Sequence, residues 1–206
     1  MPNPVMTIKP GVAWSNFHST SNVGGRVGKL FIPFNAWDDG SAPPAGQPFA
    51  PGLAGLKAIV QQAESASMRV RALGSSWSLN NIAFVKDYLV DTTNLAELLV
   101  GFSQGSVDPS YRGEIASLVY AQCGNTISKL NNDLANANPP LALPTSGASN
   151  GQTIAGAMST GTHGSAIAVG TALRRETWAA PRTDPSVQSY RTRLLLRVRS
   201  SKRSQG

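Results

Sequence analysis

The period of hydrophobic and polar positions changes several times along the chain, and each change predicts an element. Leu53, Leu56, Val60 and Ala63 recur at helical spacing, which predicts a helix over about 53–66. Arg69–Leu73 (RVRAL) alternates polar and apolar as a short strand, and Gly74 breaks it. Apolar runs predict further strands at Tyr88–Asp91 and Ile115–Gln122. Ile127, Leu130 and Leu134 then mark the inner face of a helix from about Thr126 to Ala137, with Asn125 as its cap. Pro139-Pro140 stops it. Strands alternating with helices favour an α/β layer containing parallel strands. No internal repeat is visible.

Between these elements the chain is less regular. Residues 1–30 are polar and turn-rich, with Trp14-Ser15-Asn16-Phe17 as a candidate docking patch. Ala36–Gly52 is rich in proline and glycine and reads as a long surface loop. From Thr171 onward the apolar period is lost, and Tyr190–Ser201 alternates arginine with leucine and valine. The organisation expected is an N-terminal segment (1–35), a central domain (36–170) and a basic tail (171–206).

Charge sharpens that division. The net charge is +7 over 206 residues. Residues 1–170 hold nine basic and nine acidic residues, so the whole excess lies in the tail. A neutral body with a basic tail does not make the body a nucleic-acid or membrane binder. Neither partner is expected; a tail-driven binder is the weakest reading. Cys123 is the single cysteine, so no internal disulfide forms. The N-terminus lacks the pattern of a secretory signal, and no apolar run approaches the ~20 residues of a membrane span. A cytoplasmic location is the expectation.

Two segments carry chemistry. The first is Gly74-Ser75-Ser76-Trp77-Ser78-Leu79-Asn80, directly after RVRAL. A strand running into a Gly/Ser turn can point successive amides into one concavity suited to a pyrophosphate. Taken alone, such a turn is more often a plain connection. The second is Leu143–Ser165, where glycines alternate with serines and threonines and no fixed charge occurs. Glycine lets a backbone approach a ligand closely, and the hydroxyls supply hydrogen bonds. Its plain alternative is a flexible linker. Ile154, Ala155, Ala157 and Met158 count against that, because they suggest burial, and so does His163 between Thr162 and Gly164. Other motifs fail. Residues Gly24–Lys29 miss the spacing and hydroxyl of a phosphate loop, GxGxxG is absent, Gly74–Ser78 lacks the last glycine of a GxSxG nucleophile turn, and two histidines without partners make no metal site.

Together these blocks resemble the FAD-binding PCMH-type domain of the vanillyl-alcohol oxidase family, and its sugar-1,4-lactone and alditol oxidase branch above all. RVRALGSSWSLN (69–80) is similar to RVRxxGSGHSFS of that branch, and YLVDTTNLA (88–96) to LLDLSxLN. VYAQCGNTISKLNNDLANANPPLALP (119–144) matches its strand, glycine and helix block, and Gln152–Gly164 matches QTIAGAISTGTHG. Trp14-Ser15-Asn16 has a counterpart near the family's N-terminus. The resemblance covers about residues 14–165 in the right order.

It implies an α+β fold, with a small subdomain holding parallel strands and the start of a second, antiparallel subdomain that is incomplete. It implies that Gly74, Ser75, Ser76, Trp77 and Ser78 bind the FAD pyrophosphate. It also implies that Ser146, Gly147, Gly151, Thr153, Gly156, Ser159, Gly161, Thr162, His163 and Gly164 line the pyrophosphate, ribityl and isoalloxazine. The activity implied is oxidation of an alcohol, alditol or sugar lactone, with hydride passing from a substrate C–H to flavin N5.

Three departures limit this. The branch's flavin-linking histidine is replaced by Trp77, so FAD is expected to bind non-covalently. Leu143 stands where doubly linked relatives carry a cysteine, and Cys123 reads as a small buried hydrophobe. The resemblance stops near Gly170, before the family's remaining strands and its cap, so the cap's catalytic residues have no positions here. The charge break near 171 reads as a shifted frame or aberrant terminus. On that alternative the chain is a truncated or frameshifted, catalytically silent fragment.

Overall fold

The computed structural model describes residues 2–21, 25–103, 105, 107, 109 and 111–164, and the backbone of 195–197 and 199–200. Its main sheet has the order β1-β2-β4-β3. Strands β1 (Pro4–Ala13) and β2 (Arg26–Trp37) form a long antiparallel pair with Lys9 opposite Leu30 and Val12 opposite Val27. The turn-rich reading of residues 1–30 is thus corrected: Pro4, Pro10 and Gly11 hide a strand that only pairing with β2 makes evident. β2 also runs across the boundary expected at 35/36.

Helix α1 (Ala50–Ser65) starts earlier than expected, inside the segment read as loop. Proline is tolerated in a first helical turn, where its missing N–H has no partner to lose, so Pro51 opens the helix rather than preventing it. Ile59 and Ala63 of α1 pack on Phe31, Tyr88 and Val90. Strand β3 (Val70–Leu73) forms where alternation placed it and β4 (Tyr88–Asp91) where the apolar run did, and the two run parallel to each other. β4 is also parallel to β2. Side chains alternate across a strand, so Leu89 faces away from α1 and packs with Trp14, Val27 and Val85.

The crossover from β3 to β4 holds no helix. It is residues 74–87, the Gly/Ser turn followed by Ala83, Phe84 and Val85, which cover the sheet opposite α1. Its end is tied down by Arg69, whose Nε donates to Asp87 Oδ2 at 2.8 Å and whose amide donates to the same oxygen. These bonds hold the Asp87 carboxyl below the ordinary carboxylate range. A depressed folded pKa stabilises above the unfolded value, and that contribution is lost as pH falls through the folded one. Arg69→Met, which keeps the backbone amide bond, is expected to move Asp87 part of the way back up towards ordinary carboxylate titration, followed by carboxyl-carbon NMR shifts against pH. An unchanged titration would show that the pair does not set it.

A second layer follows. The expected strand Ile115–Gln122 divides into a 3₁₀ turn, Ile115–Ser117, and β6 (Leu118–Ala121). β5 (Leu98–Leu99) pairs antiparallel with β6. Helix α2 (Ile127–Ala135) buries Ile127, Leu130 and Leu134 against Val119, Ala121, Ile154 and Ala157. Its cap is Thr126, whose hydroxyl accepts from the Lys129 amide at 3.1 Å, and not Asn125. Short β7 (Leu141–Ala142) and helix α3 (Ile154–Ser159) complete the layer.

Of the tail, only β8 (Leu195–Arg197), paired with β6, and β9 (Arg199–Ser200), paired with β7, lie within the described residues. The fold therefore mixes parallel and antiparallel strands with helices, as α+β implied. Among the described residues no helix is long and apolar enough to cross a membrane.

Candidate functional site

The site starts where β3 ends. The Leu73 carbonyl accepts from both the amide and the hydroxyl of Thr92, at 2.9 Å each, which closes the β3–β4 ladder and releases the chain into the turn 74–78. Ser76 adopts φ +55°, in the left-handed region. Residues 74–78 are all half-buried. The amides of Ser75, Ser76, Trp77 and Ser78 have no partner among the described residues. Their carbonyl sides are held instead: Phe17 donates its amide to Ser76 O at 2.9 Å, and Asn16 Nδ2 donates to Ser78 O at 2.8 Å.

Asn16 is buried, and its side-chain oxygen accepts from the Ser21 amide at 3.0 Å. It therefore straps the N-terminal segment to the turn. The docking-patch reading of residues 14–17 is corrected accordingly: Trp14 is core, Asn16 is a clamp, and Phe17 faces outward. Asn16 and Phe17 hold the turn in place, which residue patterns alone did not reveal. The one available signal was the Trp-Ser-Asn match near the N-terminus.

The glycine-rich segment meets this turn at two points. A β-carbon on Gly74 would strike the Thr153 side chain, so the bare backbone at 74 is what lets Thr153 approach. A β-carbon on Gly151 would strike the Trp77 ring. Trp77 is thus laid across Gly151, and it also stacks on Phe17, with centroids 4.4 Å apart and planes at 21°. His18 meets the same ring edge-on at 5.1 Å.

Thr153 caps α3 by accepting from the Gly156 amide at 3.3 Å. The segment is anchored from behind by α2: the amides of Ile127 and Ser128 donate to Gln152 O and Asn150 O at 2.9 and 2.8 Å. Buried Asn125, the residue expected as a cap, is a clamp. Its carbonyl accepts from Ile154 N at 2.7 Å, while its Nδ2 donates to Glu97 O and Gln122 O. Gln122 in turn exchanges two side-chain bonds with Asn35 of β2, at 2.7 and 3.1 Å, joining the two layers.

The remaining expected residues form a second grouping. Gly147 lies against Thr162, and Gly164 lies against Thr145 and Ser146. No hydrogen bond among the described residues joins this grouping to the turn 74–78; the chain 148–153 and α3 connect them. Ser159, the last residue of α3, and Gly161 beyond it are exposed, with Gly161 at φ +68°. His163 is exposed, and its Nδ1 lies 3.2 Å from Gly164 O. Cys123 stands apart: burial pushes its thiol up, against a weaker opposing bond with Thr92, which disfavours the nucleophilic thiolate. None of residues 74–78 or 143–164 carries a fixed charge.

A parallel strand pair thus crosses over through a Gly/Ser turn, with a glycine-rich segment folded against it. The chain is 35% identical over 112 residues to a Neurospora crassa protein carrying the name D-arabinono-1,4-lactone oxidase. The match takes in 54% of this chain and 18% of that relative, so the chain spans under a fifth of its length. Among solved structures, a histidine-to-alanine mutant of cholesterol oxidase from Brevibacterium sterolicum matches with TM-score 0.54 and 14% identity, over 95% of this chain and 38% of that one. Another cholesterol oxidase structure from B. sterolicum matches with TM-score 0.45 and 15% identity, over 78% of this chain and 25% of that one. No family model matches the chain.

Proposed function

We propose that this chain is the cofactor-holding part of a flavin-dependent oxidoreductase that acts on an alcohol, alditol or sugar lactone. One observation carries the reading. The backbone amides of four consecutive half-buried residues, Ser75, Ser76, Trp77 and Ser78, lack partners among the described residues at the end of a parallel strand. Backbone N–H groups seldom go unsatisfied, and a cluster of them forms a concavity for an anion. The FAD diphosphate fits that donor set, and the absence of fixed charge nearby suits a cofactor held by backbone and hydroxyls. The relatedness to a lactone oxidase supports the same chemistry.

Bound flavin would supply a hydride acceptor at N5. The chain's part is to hold and orient it. Gly74–Ser78 bind the diphosphate. Ser146, Gly147, Gly151, Thr153, Gly156, Ser159, Gly161, Thr162, His163 and Gly164 line the rest, with Gly74 and Gly151 keeping the backbone close. Attachment is non-covalent, because the Trp77 indole is a poor nucleophile. The substrate class is taken from the name of the lactone-oxidase relative.

The purified chain is expected to bind added FAD and show flavin absorbance after gel filtration, and to release all of it on denaturation. No retained absorbance would refute the reading. Flavin remaining with the denatured protein would refute the non-covalent attachment alone.

A further inference from the structure

The second layer meets the main sheet at the C-terminal ends of its three parallel strands. Phe31 of β2 and Ala72 of β3 both stand level with Val90 of β4, so Asn35, four residues on, and the turn 74–78 lie along one edge of the sheet. β2 and β3 flank β4, which puts the ends of those two strands about 10 Å apart. Each strand holds the second layer in its own way. Beyond β3, the bare backbone of Gly74 lies against the Thr153 side chain. Beyond β4, Leu95 O accepts from the Gly124 amide at 2.8 Å. On β2 the link is made by side chains: Asn35 Nδ2 donates to Gln122 Oε1 at 2.7 Å, and Gln122 Nε2 donates back to Asn35 Oδ1 at 3.1 Å.

Two opposed amide bonds close a ring, and such a pair fixes a direction as well as a distance. Both ends of this one are set. Gln122 is buried, and its Oε1 also accepts from the Glu97 amide at 3.0 Å, which decides the way its own amide faces. Asn35 Oδ1 is backed by the bare Gly52 of α1, where a β-carbon would strike it. Beyond Gln122 the path is continuous: Gln122 O accepts from Asn125 Nδ2 at 3.1 Å, and Asn125 O accepts from Ile154, next to Thr153.

We propose that Asn35 is a positioning residue of the cofactor site. Through Gln122 and Asn125 it sets the angle of the second layer, and with it the gap between the turn 74–78 and the segment 151–153. Without the link on β2 the layer turns about its attachments at Gly74 and Gly124, and the contact of Gly151 with the Trp77 ring opens. The inference rests on the flavin reading above and adds to it a residue outside the ligand's proposed contacts.

The test follows the α-protons of Gly151 by NMR in the ligand-free chain, because the Trp77 ring held against that residue displaces their resonance. FAD titration and thermal unfolding accompany it. Asn35→Asp keeps the shape but sets an acceptor against Gln122 Oε1, and Asn35→Ala removes both bonds at a half-buried site that water can enter. Ile59→Val trims the core under α1, away from the link, and is the control for stability alone. Both Asn35 variants are expected to move the Gly151 resonance towards that of an unstructured glycine and to weaken FAD roughly tenfold. Ile59→Val is expected to lower the unfolding midpoint and to change neither. An unmoved Gly151 resonance in a folded Asn35 variant overturns the positioning role, and so does an equal movement in Ile59→Val. If the resonance moves while FAD binds as tightly as to the parent, the link does not serve the cofactor, so the proposal falls and the flavin reading stands. If the parent binds no FAD, the flavin reading falls, and the Gly151 resonance alone decides whether Asn35 sets the gap.

Discussion

Gly124→Ala is expected to cost about 3 kcal/mol or more of stability, a large share of the ~5–15 kcal/mol available to a domain. A β-carbon at this position would lie 2.8 Å from both Leu95 O and Thr93 O and closer still to Thr92 O. These are backbone oxygens, so no rotamer change relieves the overlap. The close approach has a purpose. It lets the Gly124 amide reach Leu95 O at 2.8 Å and sets Asn125 where it can donate to Glu97 O. The contact therefore joins the end of β4 to the start of α2, which anchors the glycine-rich segment. Gly105→Ala serves as the control, because nothing lies within 4 Å of its added carbon and its φ is unstrained. Urea unfolding of both variants checks this. A Gly124→Ala midpoint equal to that of Gly105→Ala would refute the packing described.

Gly74→Ala is expected to weaken FAD binding at least tenfold and to cost about 2 kcal/mol of stability. Its β-carbon would overlap the side chain of Thr153, which is buried and caps α3. If Thr153 rotates away, the cap is lost, a cost of about 1 kcal/mol. If it stays, the turn must shift and carry its four amides with it. Either way the two halves of the site separate. Thr153→Ala removes the hydroxyl and methyl that collide, so Gly74→Ala with Thr153→Ala should be more stable than the sum of the single effects. Strict additivity, measured by unfolding and FAD titration, would show that the two residues do not touch.

Much of the fold was legible because it is local. The strands at 70–73 and 88–91 and the buried face of α2 follow from side-chain period, and they formed where that period put them. The long pair β1–β2 was not legible. Pro4, Pro10 and Gly11 are poor strand residues, and what makes β1 a strand is a row of bonds to β2. Asn125 and Thr126 show a finer limit. Both are good cap residues, and adjacent. Burial decided between them: Asn125 was needed to bond Glu97 O, Gln122 O and the Ile154 amide, and Thr126 was left to cap.

By itself the sequence determined which residues can come close to a ligand. Glycines at 74, 147, 151 and 164, with hydroxyls beside them and no fixed charge within 74–78 or 143–164, are properties of composition and order. Only the tertiary structure decided what each glycine makes room for: Thr153 at Gly74, the Trp77 ring at Gly151, Thr162 at Gly147, Ser146 at Gly164. It alone assigned Asn16 to the turn and paired Asn35 with Gln122. The physical reason is that a missing side chain permits approach without naming the partner. The partner comes from packing segments far apart in the chain, and side-chain period carries no record of that.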